Sequence, residues 1–216
     1  MTNFYNNCKL PLKSIVHFPY VNKRAKNSNC KTKKLLVTKT IRLRDIAWLP
    51  ENLTSKDSSL KIIYLVRDPR AIAYSRIMNN GKSNKWSWPE SEGKIRNICK
   101  TFETFLDQRS SNETKSWQNQ HLVIRYEDLT TEPIIWAKKI YHFIQMDFSK
   151  NIQQIILRKT KLFSTKWAEK LPIEAIKTIE DSCERVFTAF GYRKFELGHD
   201  LFENFVDRAG CGYCLW

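Results

Sequence analysis

Residues 61–76 read KIIYLVRDPRAIAYSR, and the change of chemistry inside this stretch decides the fold. Lys61–Val66 is an aliphatic, β-branched run of the kind buried in a parallel sheet. Asp68 and Pro69 then supply a helix start. An aspartate side chain accepts from the orphan amides of a first turn, and proline suits the first helical position, where its missing N–H costs nothing. The stretch therefore predicts a strand that runs directly into a helix.

Working outward, Leu35–Thr38 and His121–Tyr126 have the same short apolar character and read as two further strands. Helical patterns cover Gly93–Gln108, Pro133–Met146, Asn151–Arg158 and Pro172–Phe190. In the last, Ile173, Ile176, Ile179, Cys183, Val186, Phe187 and Phe190 recur at helical spacing and should face a core. Alternation of strand and helix predicts an α/β domain, a parallel sheet flanked by helices in three layers. Residues 1–34 read as an irregular basic lead-in, 35–195 as the domain and 196–216 as a tail. No internal repeat or low-complexity block interrupts them.

The chain has 216 residues, enough for one domain with a core, and its 42% hydrophobic and 12% aromatic content excludes a disordered tail. No apolar run reaches the roughly 18–20 residues of a membrane span, and the first residues lack a signal-peptide core. Thirty-seven basic against 22 acidic side chains give a net charge of +15. That excess suits a nucleotide, an acidic polysaccharide or nucleic acid, or is simply a lysine-rich solvated surface. Basic residues cluster at Lys23–Lys34 and Arg158–Lys170, without zinc-finger, basic-zipper or RNA-recognition spacing. Nucleic acid is therefore not expected as a partner.

The cysteines are Cys8, Cys30, Cys99, Cys183, Cys211 and Cys214. The close pair Cys211 and Cys214 lacks the following helix of a redox motif and a second pair for zinc. Disulfides fit the even count, with the pairing open. The glycosylation acceptors at Asn52 and Asn112 lean the same way, toward a secretory compartment.

Ligands of open α/β sheets bind beyond the carboxyl ends of the strands. Arg67 stands there, beside a helix N-terminus, and offers an anion a fork of donors and a favourable dipole. Ser75 follows eight positions later, about two turns into the helix, with a hydroxyl for the same anion. A phosphate monoester suits the pair. The competing reading pairs Arg67 with an acidic neighbour and leaves Ser75 on the helix surface. Lys39, after the first predicted strand, is either a second cation at this edge or a solvated strand-end lysine. Tyr126 is either a base-stacking ring or a core aromatic, while Glu127 and Asp128 are expected to cap and pair. Trp86 and Trp88 stand either as a sugar-stacking platform or as loop aromatics buried on their own domain.

The string YLVRDPRAIAYSR resembles the 3′-phosphate-binding segment of sulfotransferases. It is most similar to the Golgi family that sulfates the 6-hydroxyl of galactose, N-acetylgalactosamine or N-acetylglucosamine. Three more segments resemble that family in order: Lys39-Thr40-Ile41-Arg42-Leu43; Arg125-Tyr126-Glu127-Asp128-Leu129 with Pro133; and Trp167, Cys183 and Phe190-Gly191-Tyr192-Arg193. The likeness covers about residues 35–195, with a looser one at Cys8 and Cys30.

The resemblance implies a P-loop-NTPase-like sulfotransferase domain using 3′-phosphoadenosine 5′-phosphosulfate (PAPS) and no metal. Arg67 and Ser75 would hold the 3′-phosphate, Tyr126 would lie near the adenine, and Lys39 would stabilise charge during in-line transfer. The acceptor would be a hydroxyl of a glycan or proteoglycan, and the setting the Golgi lumen, as a type II membrane glycoprotein with disulfides. No general base is assigned: Ile41 fills the place of the cytosolic branch's histidine, and His17, His121, His142 and His199 match no catalytic position. The family's glycine- and serine-containing 5′-phosphosulfate loop and its first strand have no counterpart either. The expectation is an N-terminally truncated chain, inactive as it stands. Rival readings are a non-catalytic glycan- or nucleotide-binding pseudoenzyme and a basic nucleic-acid-binding protein.

Overall fold

The computed structural model describes residues 37, 39, 61–78, 92–110, 120–162 and 165–195. Strand β1 (Ile62–Val66) leads into helix α1 (Pro69–Met78), followed by α2 (Glu92–Ser110) and strand β2 (His121–Arg125). Six helices come after: α3 (Tyr126–Thr131), α4 (Pro133–Phe143), α5 (Lys150–Lys159), α6 (Lys166–Lys170), α7 (Ile173–Ser182) and α8 (Glu184–Phe190). The strands pair in parallel, with Ile62 opposite His121 and Val66 opposite Arg125. Parallel neighbours need a crossover connection, and the helices between β1 and β2 provide it. This is the α/β arrangement that the alternation predicts.

The helix start at Asp68 and Pro69 is as the sequence indicates. The Arg70 amide donates to Asp68 Oδ1 at 2.8 Å, so Asp68 caps α1 through its side chain. Along α2, Ile95, Ile98, Cys99, Phe102, Phe105 and Leu106 are buried at three- and four-residue spacing. This stripe meets β1 through Tyr64, whose ring stacks on Phe105 with centroids 3.6 Å apart. It meets α8 through an edge-on contact of Phe102 with Phe190. Ile176 and Ile179 of α7 and Val186 and Phe187 of α8 complete the same core.

Several expectations need correction. Strand β1 is not buried on both faces: Ile63 and Leu65 are 41% and 51% exposed, while Tyr64 and Val66 turn toward the core. Side chains of a strand alternate in direction, and only one face of β1 is packed. The predicted helix over 172–190 is two helices. The backbone leaves helical geometry at Cys183 (φ −112°, ψ 18°), whose sulfur is bonded to Cys99 of α2. The helix from Pro133 stops at Phe143, short of Met146. Helices α3 and α6 have no counterpart in the sequence reading. Of Leu35–Thr38 only Val37 lies within the described residues, exposed and in irregular backbone.

Candidate functional site

Because β1 and β2 pair in register, their carboxyl ends lie side by side, and the next residues are Arg67 and Tyr126. The Arg67 guanidinium carbon stands 4.8 Å from the centroid of the Tyr126 ring. Arg67 is half-buried, and its Nε is enclosed by protein without making a hydrogen bond. A buried donor left unmatched is costly, so an acceptor at this point would be strongly favoured.

The acidic neighbour is not available to Arg67, because Arg70 holds it. Arg70 Nε and Nη2 lie 3.0 and 2.8 Å from Asp68 Oδ1 and Oδ2. Nη1 donates to Glu180 Oε1 at 2.6 Å and to the Arg193 carbonyl at 3.0 Å. The guanidinium is wholly buried between the rings of Trp167 and Phe187, at 4.2 and 4.7 Å. Two arginines three residues apart therefore differ completely. Arg70 locks the turn to the C-terminal helices, and Arg67 faces the strand ends.

A second clamp comes from α3. The Asp68 amide donates to Glu127 Oε1 at 3.1 Å, and the Tyr192 hydroxyl donates to Glu127 Oε2 at 2.9 Å. Burial, with the nearby Asp68 charge, pushes the Glu127 carboxyl up to about 7 despite these donors. Burial first and then Glu127 raise the Tyr192 hydroxyl well above its ordinary value. Arg125 is buried too, paired with Asp128 at 2.6 and 2.9 Å and donating to the Phe190 carbonyl at 2.9 Å. In the run Arg125–Asp128, then, three side chains tie elements together and Tyr126 underlies Arg67.

Tyr126 also forms a wall of an open cleft of about 480 Å³. Leu129, Thr130 and Pro133, then Ala137, Ile140 and Tyr141 of α4, and Ile156, Lys159, Thr160 and Lys161 complete its lining. A ring shared by an arginine and a mostly apolar cleft suits a ligand with an anionic group and a flat base.

The structure brings Arg67 and Tyr126 together. Ser75 lies half-buried in the second turn of α1. Lys39 is exposed in irregular backbone, so its catalytic part rests on the sequence resemblance alone. Trp86, Trp88, Cys8, Cys30, Cys211, Cys214, Asn52, Asn112, His17 and His199 lie outside the described residues. His142 is exposed on α4, and His121 opens β2, where burial first and then Arg109 lower it to about 4. Sequence reasoning missed Glu180 and Tyr192. Their only local signal was helical spacing for Glu180 and the Gly-Tyr-Arg string for Tyr192.

Cys99 and Cys183 stand at disulfide distance, with Cα atoms 5.0 Å apart, one of the pairings the even cysteine count leaves open. Among the described residues no helix is long and apolar enough to cross a membrane, and no group of three or more His, Cys, Asp or Glu is placed to hold a metal.

The sulfotransferase domain family matches residues 7–205. The chain belongs to the sulfotransferase family. Carbohydrate sulfotransferase 3 of Tetronarce californica is 28% identical over 76% of this chain and 43% of its own length. Carbohydrate sulfotransferase 2 of Homo sapiens is 25% identical, over 76% and 41%. The sulfotransferase chain thus spans less than half the length of these curated relatives. The crystal structure of mouse sulfotransferase SULT7A1 complexed with PAP superposes with a TM-score of 0.41 and 19% identity, over 61% of this chain and 47% of that one. The four segments that carry the sequence resemblance all fall inside the range matched by the sulfotransferase family.

Proposed function

We propose that this chain supplies the 3′-phosphate half of the donor site in a carbohydrate sulfotransferase. The donor would be PAPS and the acceptor a sugar hydroxyl in a glycan or proteoglycan, the 6-OH of a hexose or N-acetylhexosamine. One observation carries the reading: Arg67 Nε is buried without a hydrogen bond, over Tyr126 and beside the start of α1, while Arg70 takes the acids. An arginine kept from internal pairing in this position suits a phosphate.

In this reading Arg67 and Ser75 hold the 3′-phosphate, and Tyr126 offers its ring to the adenine from the lining of the cleft. When bound, PAPS supplies the sulfuryl group. The described residues bind and orient the nucleotide, and Lys39 is assigned to charge stabilisation during transfer. No stretch of the sequence resembles the 5′-phosphosulfate loop, so the 216-residue polypeptide alone is expected to bind nucleotide without turnover. A Golgi-lumen setting fits the buried Cys99–Cys183 disulfide, since such bonds persist in oxidising compartments.

Calorimetry with adenosine 3′,5′-bisphosphate and 5′-AMP tests the proposal. The bisphosphate should bind at least about tenfold tighter, a difference of roughly 1.4 kcal/mol, and Arg67→Ala and Ser75→Ala should each narrow that gap. Equal binding of the two nucleotides, or a gap untouched by Arg67→Ala, would overturn it.

A further inference from the structure

We propose that Glu127 is a positioning residue, holding the Arg67 turn against Tyr126 from outside the ligand site; the proposal rests on the anion-site reading above. Arg67 Nε makes no hydrogen bond, so the place of its guanidinium over the Tyr126 ring depends on how the backbone on either side of Arg67 is held. On the N-terminal side, Val66 is fixed opposite Arg125 in the parallel ladder. On the C-terminal side, the first amide after Arg67 is that of Asp68, and it donates to Glu127 Oε1 at 3.1 Å.

The placement of this bond matters because of sequence adjacency. Asp68 follows Arg67, and Glu127 follows Tyr126. A single hydrogen bond between the two followers therefore holds the two leaders together, guanidinium over ring. The second carboxylate oxygen accepts the Tyr192 hydroxyl at 2.9 Å, which prevents Glu127 from swinging away. Glu127 is buried among these partners and the core around them, with only 3% of the residue exposed. It acts through Arg67 and is not itself a ligand group.

Replacing Glu127 separates positioning from bulk stability. In Glu127→Gln the amide oxygen still accepts from Asp68, and its NH₂ can donate to the Tyr192 oxygen. Glu127→Asp is one methylene shorter and cannot hold both partners. Tyr192→Phe removes only the second bond and is the milder variant should Glu127→Asp fold poorly.

The experiment uses the full 216-residue chain and two readouts. The Arg67 Nε–H resonance in ¹⁵N-resolved NMR reports the ring current of Tyr126 without any ligand. Calorimetry with adenosine 3′,5′-bisphosphate and 5′-AMP reports recognition of the 3′-phosphate. In Glu127→Asp the Arg67 resonance should move toward that of a solvated arginine. Bisphosphate binding should weaken about tenfold, with 5′-AMP changed less than about twofold. Tyr192→Phe should move both readouts in the same direction by less, and Glu127→Gln should restore both.

An unmoved Arg67 resonance in Glu127→Asp and Tyr192→Phe would overturn the proposal. So would an equal loss of both nucleotides, the signature of general damage. If the parent chain does not favour the bisphosphate, the donor-site reading fails, and the Arg67 resonance still decides whether Glu127 positions the turn.

Discussion

Arg70 and Asp68 form a buried ion pair, 2.8 Å between Nη2 and Oδ2, within the turn that presents Arg67 to the strand ends. The two arginines of this turn should therefore respond oppositely to removal. Arg70→Ala leaves Asp68 and Glu180 as buried carboxylates without their cation, a loss of about 3–5 kcal/mol. Arg67→Ala removes a side chain with no ion pair to an acid and should cost under about 1 kcal/mol. Urea denaturation near neutral pH measures both, and equal destabilisation would refute the division of labour.

The Cys99–Cys183 bond joins residues 84 apart in the chain, linking α2 to the joint between α7 and α8. Cross-linking so long a segment stabilises by about 2–5 kcal/mol, chiefly by restricting the unfolded chain. Cys99→Ser with Cys183→Ser should lower the melting temperature by several degrees, and added reductant should then have no further effect on this pair. A double variant that melts with the parent would show that the bond contributes nothing.

Two buried titrating groups pull the pH dependence in opposite directions. Glu127 is raised from 4.5 to about 7, so the folded chain binds its proton more tightly. Its contribution is present below pH 4.5 and is lost as pH rises through about 7, a span on the order of 3 kcal/mol. Glu180, also raised first by burial, acts in the same direction. His121 is lowered from 6.5 to about 4, so its contribution is present above 6.5 and is lost on acidification toward 4. Relative to the parent, Glu127→Gln should make stability rise more steeply with pH between 4.5 and 7. His121→Gln should make it fall more steeply between 4 and 6.5. Thermal melts across this range test both, and unchanged slopes would contradict them.

Tyr126 serves Arg67 and the cleft with one ring. Tyr126→Phe keeps an aromatic face and should bind adenosine 3′,5′-bisphosphate within about twofold of the parent. Tyr126→Ala removes the ring from both and should weaken binding by about tenfold or more, roughly 1.4 kcal/mol. Full affinity in the alanine variant would move the base elsewhere.

How much of this was legible depends on how far apart the partners lie. The strand, cap and helix around Arg67 are local, and the residues 61–76 announce them. The role of Arg70 is not, because Glu180 and the Arg193 carbonyl stand 110 and 123 positions away. Asp128 pairs as expected, whereas Glu127, expected to cap or pair locally, bridges two distant segments. The break at Cys183 was hidden because Ile179, Cys183, Val186 and Phe187 keep helical spacing across it, with no glycine or proline to mark it. The exposed face of β1 escaped notice because an unbroken aliphatic run gives no sign of which face is packed. The exposed position of Lys39 was one of two readings its neighbours allowed.

The reach of Arg70 also bears on the order of synthesis. A ribosome delivers Asp68 and Arg70 first, and Glu180 and the Arg193 carbonyl more than a hundred residues later. Until those late residues emerge, the guanidinium has Asp68 but lacks Glu180, the Arg193 carbonyl and both aromatic walls, since Trp167 and Phe187 are also late. The turn that carries Arg67 is thus completed only by segments made long after it, and a nascent chain halted before Glu180 would leave the tunnel with that turn unlocked.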